Sequence, residues 1–140
     1  MTTLVYRDGV LAADGQSQCS GWRQPGMMEK VWKVEGRLIG AAGDSNRVER
    51  FRRWAMAGGV GECPEMGDGS VGVIVEQDGR VREFESVGEL QPSHAPFYAW
   101  GSGMPAALAA LYMGATAERA VEIAILVDSS SGGNVQTVRL

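Results

Sequence analysis

Short apolar runs separated by glycine-bearing turns fill the first half of the chain, the pattern of antiparallel strands. Leu4-Val5-Tyr6-Arg7 and Val10-Leu11-Ala12-Ala13 flank Asp8-Gly9, a dipeptide suited to a two-residue type I′ turn. Counting outward pairs Arg7 with Val10, Tyr6 with Leu11, Leu4 with Ala13, Thr3 with Asp14 and Thr2 with Gly15. The two threonines are thereby predicted at a strand end beside Asp14. Residues 17–28 are polar and carry Gly21, Pro25 and Gly26, so they read as a loop. Lys30–Val34 and Arg37–Ala42 form a second hairpin around Glu35-Gly36. A capped helix starts near Gly43-Asp44-Ser45, with Val48, Phe51 and Ala55 at helical spacing, and Gly58-Gly59 ends it. Residues 58–69 read as an irregular crossing, and Ser70–Val75 with Val81–Phe84 as a third hairpin around Asp78-Gly79. After a proline-bearing loop at 91–96, Phe97–Trp100 is a short strand. Gly101-Ser102-Gly103 leads into a helix with Pro105 in its first turn, where a missing N–H costs nothing, and Gly114 ends it. Thr116 caps the next helix, whose apolar face is Ala120, Ile123, Ala124 and Val127. A loop at Asp128–Gly133 and a last strand at Val135–Leu140 close the order. Hairpins followed by strand, helix, helix, strand predict an α+β architecture in one domain, residues 1–140.

Composition narrows the function. The chain has 140 residues, 44% hydrophobic and 21% charged, in the range of a globular protein. Its net charge is −4; the first seventy residues balance nine basic against nine acidic, and the second seventy carry four against eight. That charge disfavours a nucleic-acid-binding role. Cys19 and Cys63 are too few for a disulfide framework and fit a reducing cytoplasm. No apolar run is long enough to cross a membrane, and the start carries no basic-then-apolar signal. His94, the only histidine, sits between Pro92 and Pro96 without a second ligand at metal spacing, so it reads as surface or structural. The glycine-rich 58–69 stretch lacks the Gly-Lys-Ser/Thr of a phosphate loop. Arg47, Arg50, Arg52 and Arg53, mixed with Asp44 and Glu49, read as a solvated face or subunit contact. Met27, Met28 and Trp32 read as core or pocket wall.

Thr2-Thr3-Leu4-Val5, Gly9-Val10-Leu11-Ala12-Ala13-Asp14, Lys30-Val31, Gly40-Ala41-Ala42-Gly43, Gly101-Ser102-Gly103 and Asp128–Gly133 follow one another in a telling order. In that order they resemble the proteasome β-subunits and their bacterial HslV-type relatives, which are N-terminal-nucleophile hydrolases. The resemblance covers both ends of the chain; residues 58–96 match poorly. It implies a four-layer αββα sandwich, two antiparallel sheets between helix layers. Two departures stand out. The first hairpin is four residues shorter between threonine and aspartate, an even deletion that keeps Thr2 in the nucleophile position and turns Thr3 to the opposite face. The chain is also some thirty residues shorter than usual, and the second long helix after residues 44–57 is absent or reduced to 58–69, which leaves a reduced helix layer.

The resemblance further implies a threonine peptidase. A threonine hydroxyl is a weak nucleophile and needs a base. An N-terminal threonine carries one in its own α-amine, whose ordinary pKa is about 7.7–8.0. Removal of Met1 would expose Thr2, Lys30 would hold the amine neutral by its charge, and Asp14 would fix Lys30. The Gly43 amide would donate to the oxyanion, and Ser102, Asp128 and Ser131 would orient the amine and relay its proton. Gln18 would line the cleft. No cofactor or metal is expected. The implied partners are peptide or unfolded-protein substrates, further copies of the chain in a homo-oligomeric ring, and an ATP-dependent unfoldase. The alternatives are an amidase for small amides and a catalytically silent ring subunit that keeps Met1.

Overall fold

The turns set the strand pairing. In the computed structural model, which describes residues 1–140, Asp8-Gly9, Ser20-Gly21 and Glu35-Gly36 all have both residues at positive φ, as two-residue hairpin loops require. The first joins β1 (Thr3–Arg7) to β2 (Val10–Ala13). Their register matches the count outward from Asp8-Gly9, Arg7 opposite Val10 and Leu4 opposite Ala13. Beyond it, the Asp14 amide still bonds the Thr3 carbonyl at 3.2 Å. The expected Thr2–Gly15 pairing does not form: the Gly15 amide donates to the Gly132 carbonyl at 2.9 Å, so the chain turns away after Asp14.

Residues 17–28 are not a loop. They form most of a two-stranded hairpin, β3 (Gln16–Cys19) and β4 (Trp22–Met27), turned at Ser20-Gly21. Every residue of β4 is exposed, so no buried face imposes alternation on its sequence. Met27 is therefore exposed rather than core. Then follow β5 (Val31–Val34), β6 (Arg37–Ala42), α1 (Ser45–Met56), β7 (Val71–Val75), β8 (Val81–Glu85) and β9 (Gly88–Glu89). The chain closes with β10 (Phe97–Gly101), α2 (Met104–Tyr112), α3 (Ala117–Val127) and β11 (Gln136–Arg139). The Asp44 carboxylate accepts from the amides of Asn46 and Arg47 to cap α1, and the Thr116 hydroxyl accepts from Arg119 to cap α3.

The strands form an antiparallel four-stranded sheet, β10-β1-β2-β11, and an antiparallel five-stranded sheet, β5-β6-β7-β8-β9. Because side chains alternate across a strand, each sheet offers two faces. Leu4, Tyr6, Leu11 and Ala13 of the first sheet pack with Val31, Leu38, Val73 and Val75 of the second in one core. The opposite face of the first sheet, Val5, Ala12 and Ala99, packs on α2 and α3. The opposite face of the second, Ile39, Ala41, Ile74 and Phe84, packs on Phe51 and Ala55 of α1. The order is thus two helices, sheet, sheet, one helix. No helix follows α1 before β7, and residues 58–69 cross irregularly, as the sequence predicts. No helix is long and apolar enough to cross a membrane.

Candidate active site

Asp14 directly follows β2 and Lys30 directly precedes β5, so the two sheets bring them together at one end of the sandwich. Lys30 Nζ donates to Asp14 Oδ1 at 2.9 Å, with side chains 4% and 0% exposed. A buried ion pair survives only when further hydrogen bonds support it, and here they do. Asp14 Oδ1 also accepts the Thr3 amide at 2.9 Å, and Oδ2 accepts the amides of Gly132 at 3.0 Å and Gln16 at 3.3 Å. Lys30 Nζ has one further acceptor, the Met1 carbonyl at 3.1 Å. The ammonium therefore sits on the peptide bond that joins Met1 to Thr2. Burial pulls the Lys30 ammonium below its ordinary value, against the opposing charge and hydrogen bond of Asp14. Burial first, then Lys30, also hold the α-amine of Met1 below its usual value of 8.0.

A second polar chain runs behind the threonines. Asp128, the residue after α3, accepts the hydroxyls of Ser102 and Ser131, each at 2.6 Å. Thr3 Oγ1 lies 2.6 Å from Ser131 Oγ. Since a hydroxyl has one proton and Ser131 donates its own to Asp128, Thr3 must be the donor in that pair. Burial raises the Asp128 carboxyl, but the Ser102 and Ser131 hydroxyls and the Ser130 amide outweigh it and leave it below its ordinary value. Ser102 Oγ also lies 3.4 Å from the Thr2 carbonyl. Gly103 lets Thr3 into this network, since a Cβ there would overlap Thr3 Oγ1.

Thr2 and Gly43 line one cavity of about 490 Å³, together with Gly101 and Ser102. Gly43 has φ +124°, and a Cβ on it would run into Ser70, so no other residue fits there. The sequence places it at the helix start; the structure has α1 begin at Ser45 behind the Asp44 cap, with Gly43 just outside. Thr2, Asp14, Lys30, Gly43, Ser102, Asp128 and Ser131 thus all gather at this end of the sandwich. Gln18 does not line the cavity; it lies on β3 opposite Arg23. The sequence reading missed Thr3 as a member of the polar chain, and the amides of Gly132 and Gln16 as holders of Asp14. Only the small residues at 103 and 132 signal these close approaches.

Other chemistry is less well placed. Cys63 lines a separate cavity of about 740 Å³, where burial chiefly pushes its thiol up to about 11, away from the nucleophilic thiolate. His94 is exposed in the 91–96 loop. No three His, Cys, Asp or Glu side chains gather as a metal-binding group. Of the α1 arginines, Arg52 and Arg53 pair with Glu49, and Arg47 bonds the Glu65 carbonyl, which fits a solvated face.

The fold has counterparts among solved structures. Thiobacillus denitrificans BPH in complex with epoxomicin superimposes with a TM-score of 0.68 at 19% identity, covering 99% of this chain and 97% of that one. The eukaryotic HslV from Trypanosoma brucei gives 0.67 at 16% identity, covering 99% and 98%. The chain has the HslV-type, proteasome-like fold. No protein-family model matches the chain, and no curated protein matches it significantly. The likeness therefore lives in the fold: an HslV-type sandwich can keep its layers while most of its residues change.

Proposed function

We propose that this chain is a threonine peptidase of the HslV and proteasome kind, acting through Thr2 once Met1 is removed. The observation that carries the reading is the buried Lys30–Asp14 pair, whose ammonium reaches the peptide bond preceding Thr2. With Met1 gone, the Thr2 amine lies beside that ammonium. Burial and the fixed positive charge favour its neutral form, which accepts the proton of the Thr2 hydroxyl as it attacks a carbonyl. Gly43 opens on the same cavity and offers its amide to the oxyanion. Ser102, Ser131 and Asp128 steady the amine and pass the proton to the leaving group. Water then releases the acyl group from Thr2. No metal or cofactor enters these steps. Peptides or unfolded proteins are the substrates, further copies of the chain complete a ring, and the setting is cytoplasmic, with an ATP-dependent unfoldase as a candidate feeder.

One observation favours a second reading. The Met1 carbonyl accepts from Lys30, so the chain with Met1 in place satisfies the pair internally and blocks the amine. A ring subunit that keeps Met1 would be silent.

The test joins intact mass with hydrolysis of an internally quenched peptide. Protein that lacks Met1 cleaves, and Thr2→Ala falls by at least about 10³-fold, the scale of losing a nucleophile. Cleavage by the Met1-retaining form, or undiminished cleavage by Thr2→Ala, rules the reading out. The rate rises with pH as the Thr2 amine deprotonates, with a midpoint below the ordinary amine value of about 7.7–8.0 because the positive charge of Lys30 beside it disfavours its protonated form.

A further inference from the structure

The cavity on which Thr2 opens has a marked charge. Asp68 and Glu85 line it; no lysine, arginine or histidine does, and the one basic group among its lining residues is the α-amine of Met1, which leaves with that residue. Glu49, Glu76, Asp78, Glu89, Glu122 and Asp14 each have a basic partner, but Asp68 and Glu85 have none. Neither makes a side-chain hydrogen bond, and both are exposed. They come from separate segments. Asp68 sits between Gly67 and Gly69 in the irregular crossing, and Glu85 ends β8, so the fold rather than local sequence sets both at one mouth. Val71, Trp100 and Met104 also line the cavity. A cavity lined by both apolar side chains and unpaired carboxylates suits a side chain with an aliphatic stem and a cationic head, since lysine and arginine lay their stems on apolar surface and keep the charge at its edge.

We propose that this cavity selects a lysine or arginine side chain next to the scissile bond, with Asp68 and Glu85 as the specificity-determining residues. This rests on the reading of Thr2 as nucleophile. Two carboxylates facing one guest cation attract it, and repel an acidic side chain at the same place. Neither carboxylate touches the reacting atoms, so they act on which substrate is held.

The test uses quenched peptides that differ at one residue, arginine, norleucine or glutamate, in one set before the cleaved bond and in a second set after it. In one set, Met1-free protein cleaves the arginine peptide with a kcat/KM at least about tenfold above its glutamate twin. Asp68→Asn with Glu85→Gln brings that ratio toward one, and Asp68→Lys reverses it. Ratios near one in both sets for the unaltered protein, with cleavage intact, overturn the proposal and leave the peptidase reading standing. If no peptide of either set is cleaved, the peptidase reading falls, and binding decides. Fluorescence anisotropy of the same arginine and glutamate peptides on the Thr2→Ala protein then shows tighter arginine binding, lost in the double variant. Equal binding overturns the cavity's preference for cations.

Discussion

The two outer faces of the sandwich are built from opposite materials. Where α2 and α3 cover the first sheet, the core is mostly alanine: Ala12, Ala99, Ala107, Ala117, Ala120 and Ala124, with Val5, Leu111 and Val121. Small side chains let two helices lie close to the strands. Where α1 alone covers the second sheet, the core is large: Phe51, Phe84, Met66, Ile39 and Ile74, with Trp32 and Trp54 at its edge. The rings of Phe51, Phe84 and Trp54 stand 5.3 to 5.8 Å apart by centroid, tilted or edge-on, as aromatic clusters prefer. Bulk replaces a helix there. The site end is different again, held by charge and hydrogen bonds rather than volume. Burial on this chain is thus achieved in three ways, and each should fail differently.

The largest effect belongs to the polar end. Asp14→Ala strands a buried ammonium and frees three amides, so unfolding free energy drops by about 3–5 kcal/mol in denaturant titration, and peptide cleavage is lost as well. A drop under about 1 kcal/mol would mean that water reaches Lys30. Next come the two helix-covered faces. Phe84→Ala empties the aromatic core and costs about 3–5 kcal/mol, while Ala120→Leu overfills the alanine core and costs about 1–3 kcal/mol. If Ala120→Leu is tolerated and Phe84→Ala is nearly neutral, the contrast between the faces is wrong. Smaller still are the caps, one on each face. Asp44→Ala on α1 and Thr116→Ala on α3 each cost about 1 kcal/mol in thermal or chemical melts. Smallest is Val87→Ser, an exposed position beside the aromatic face, expected within about 0.5 kcal/mol of the parent. A larger loss there would place Val87 under a partner.

The elements that could be read from sequence were those with at least one deeply buried face. Leu4-Val5, Leu11-Ala12 and Leu38-Ile39 form short apolar runs because both faces of each strand are buried, one between the sheets and one under the helices, and Phe51 and Ala55 keep helical spacing because one stripe of α1 meets the core. The hairpin of β3 and β4 escaped because neither face is buried deeply enough to pattern its sequence, although Ser20-Gly21 has the same turn geometry as the two dipeptides that were recognised. The two-residue β9 is too short to leave a pattern. Asp14, Lys30, Ser102, Asp128 and Ser131 were legible as a group only through the order of motifs along the chain. Nothing local in Lys30-Val31 announces a buried lysine. Thr3 was set aside as facing away from the site, and it does turn from Thr2; what alternation could not reveal is that Ser131 waits on that side.

The central claim is that a free amine on Thr2 beside the Lys30–Asp14 pair makes this sandwich a hydrolase. The direct measurement compares two preparations one residue apart: protein released from a cleavable N-terminal fusion to begin at Thr2, and protein that keeps Met1. Their kcat/KM on one quenched peptide should differ by at least about 10³-fold in favour of the Thr2 form. Equal rates, or no turnover from the form that begins at Thr2, would contradict the account.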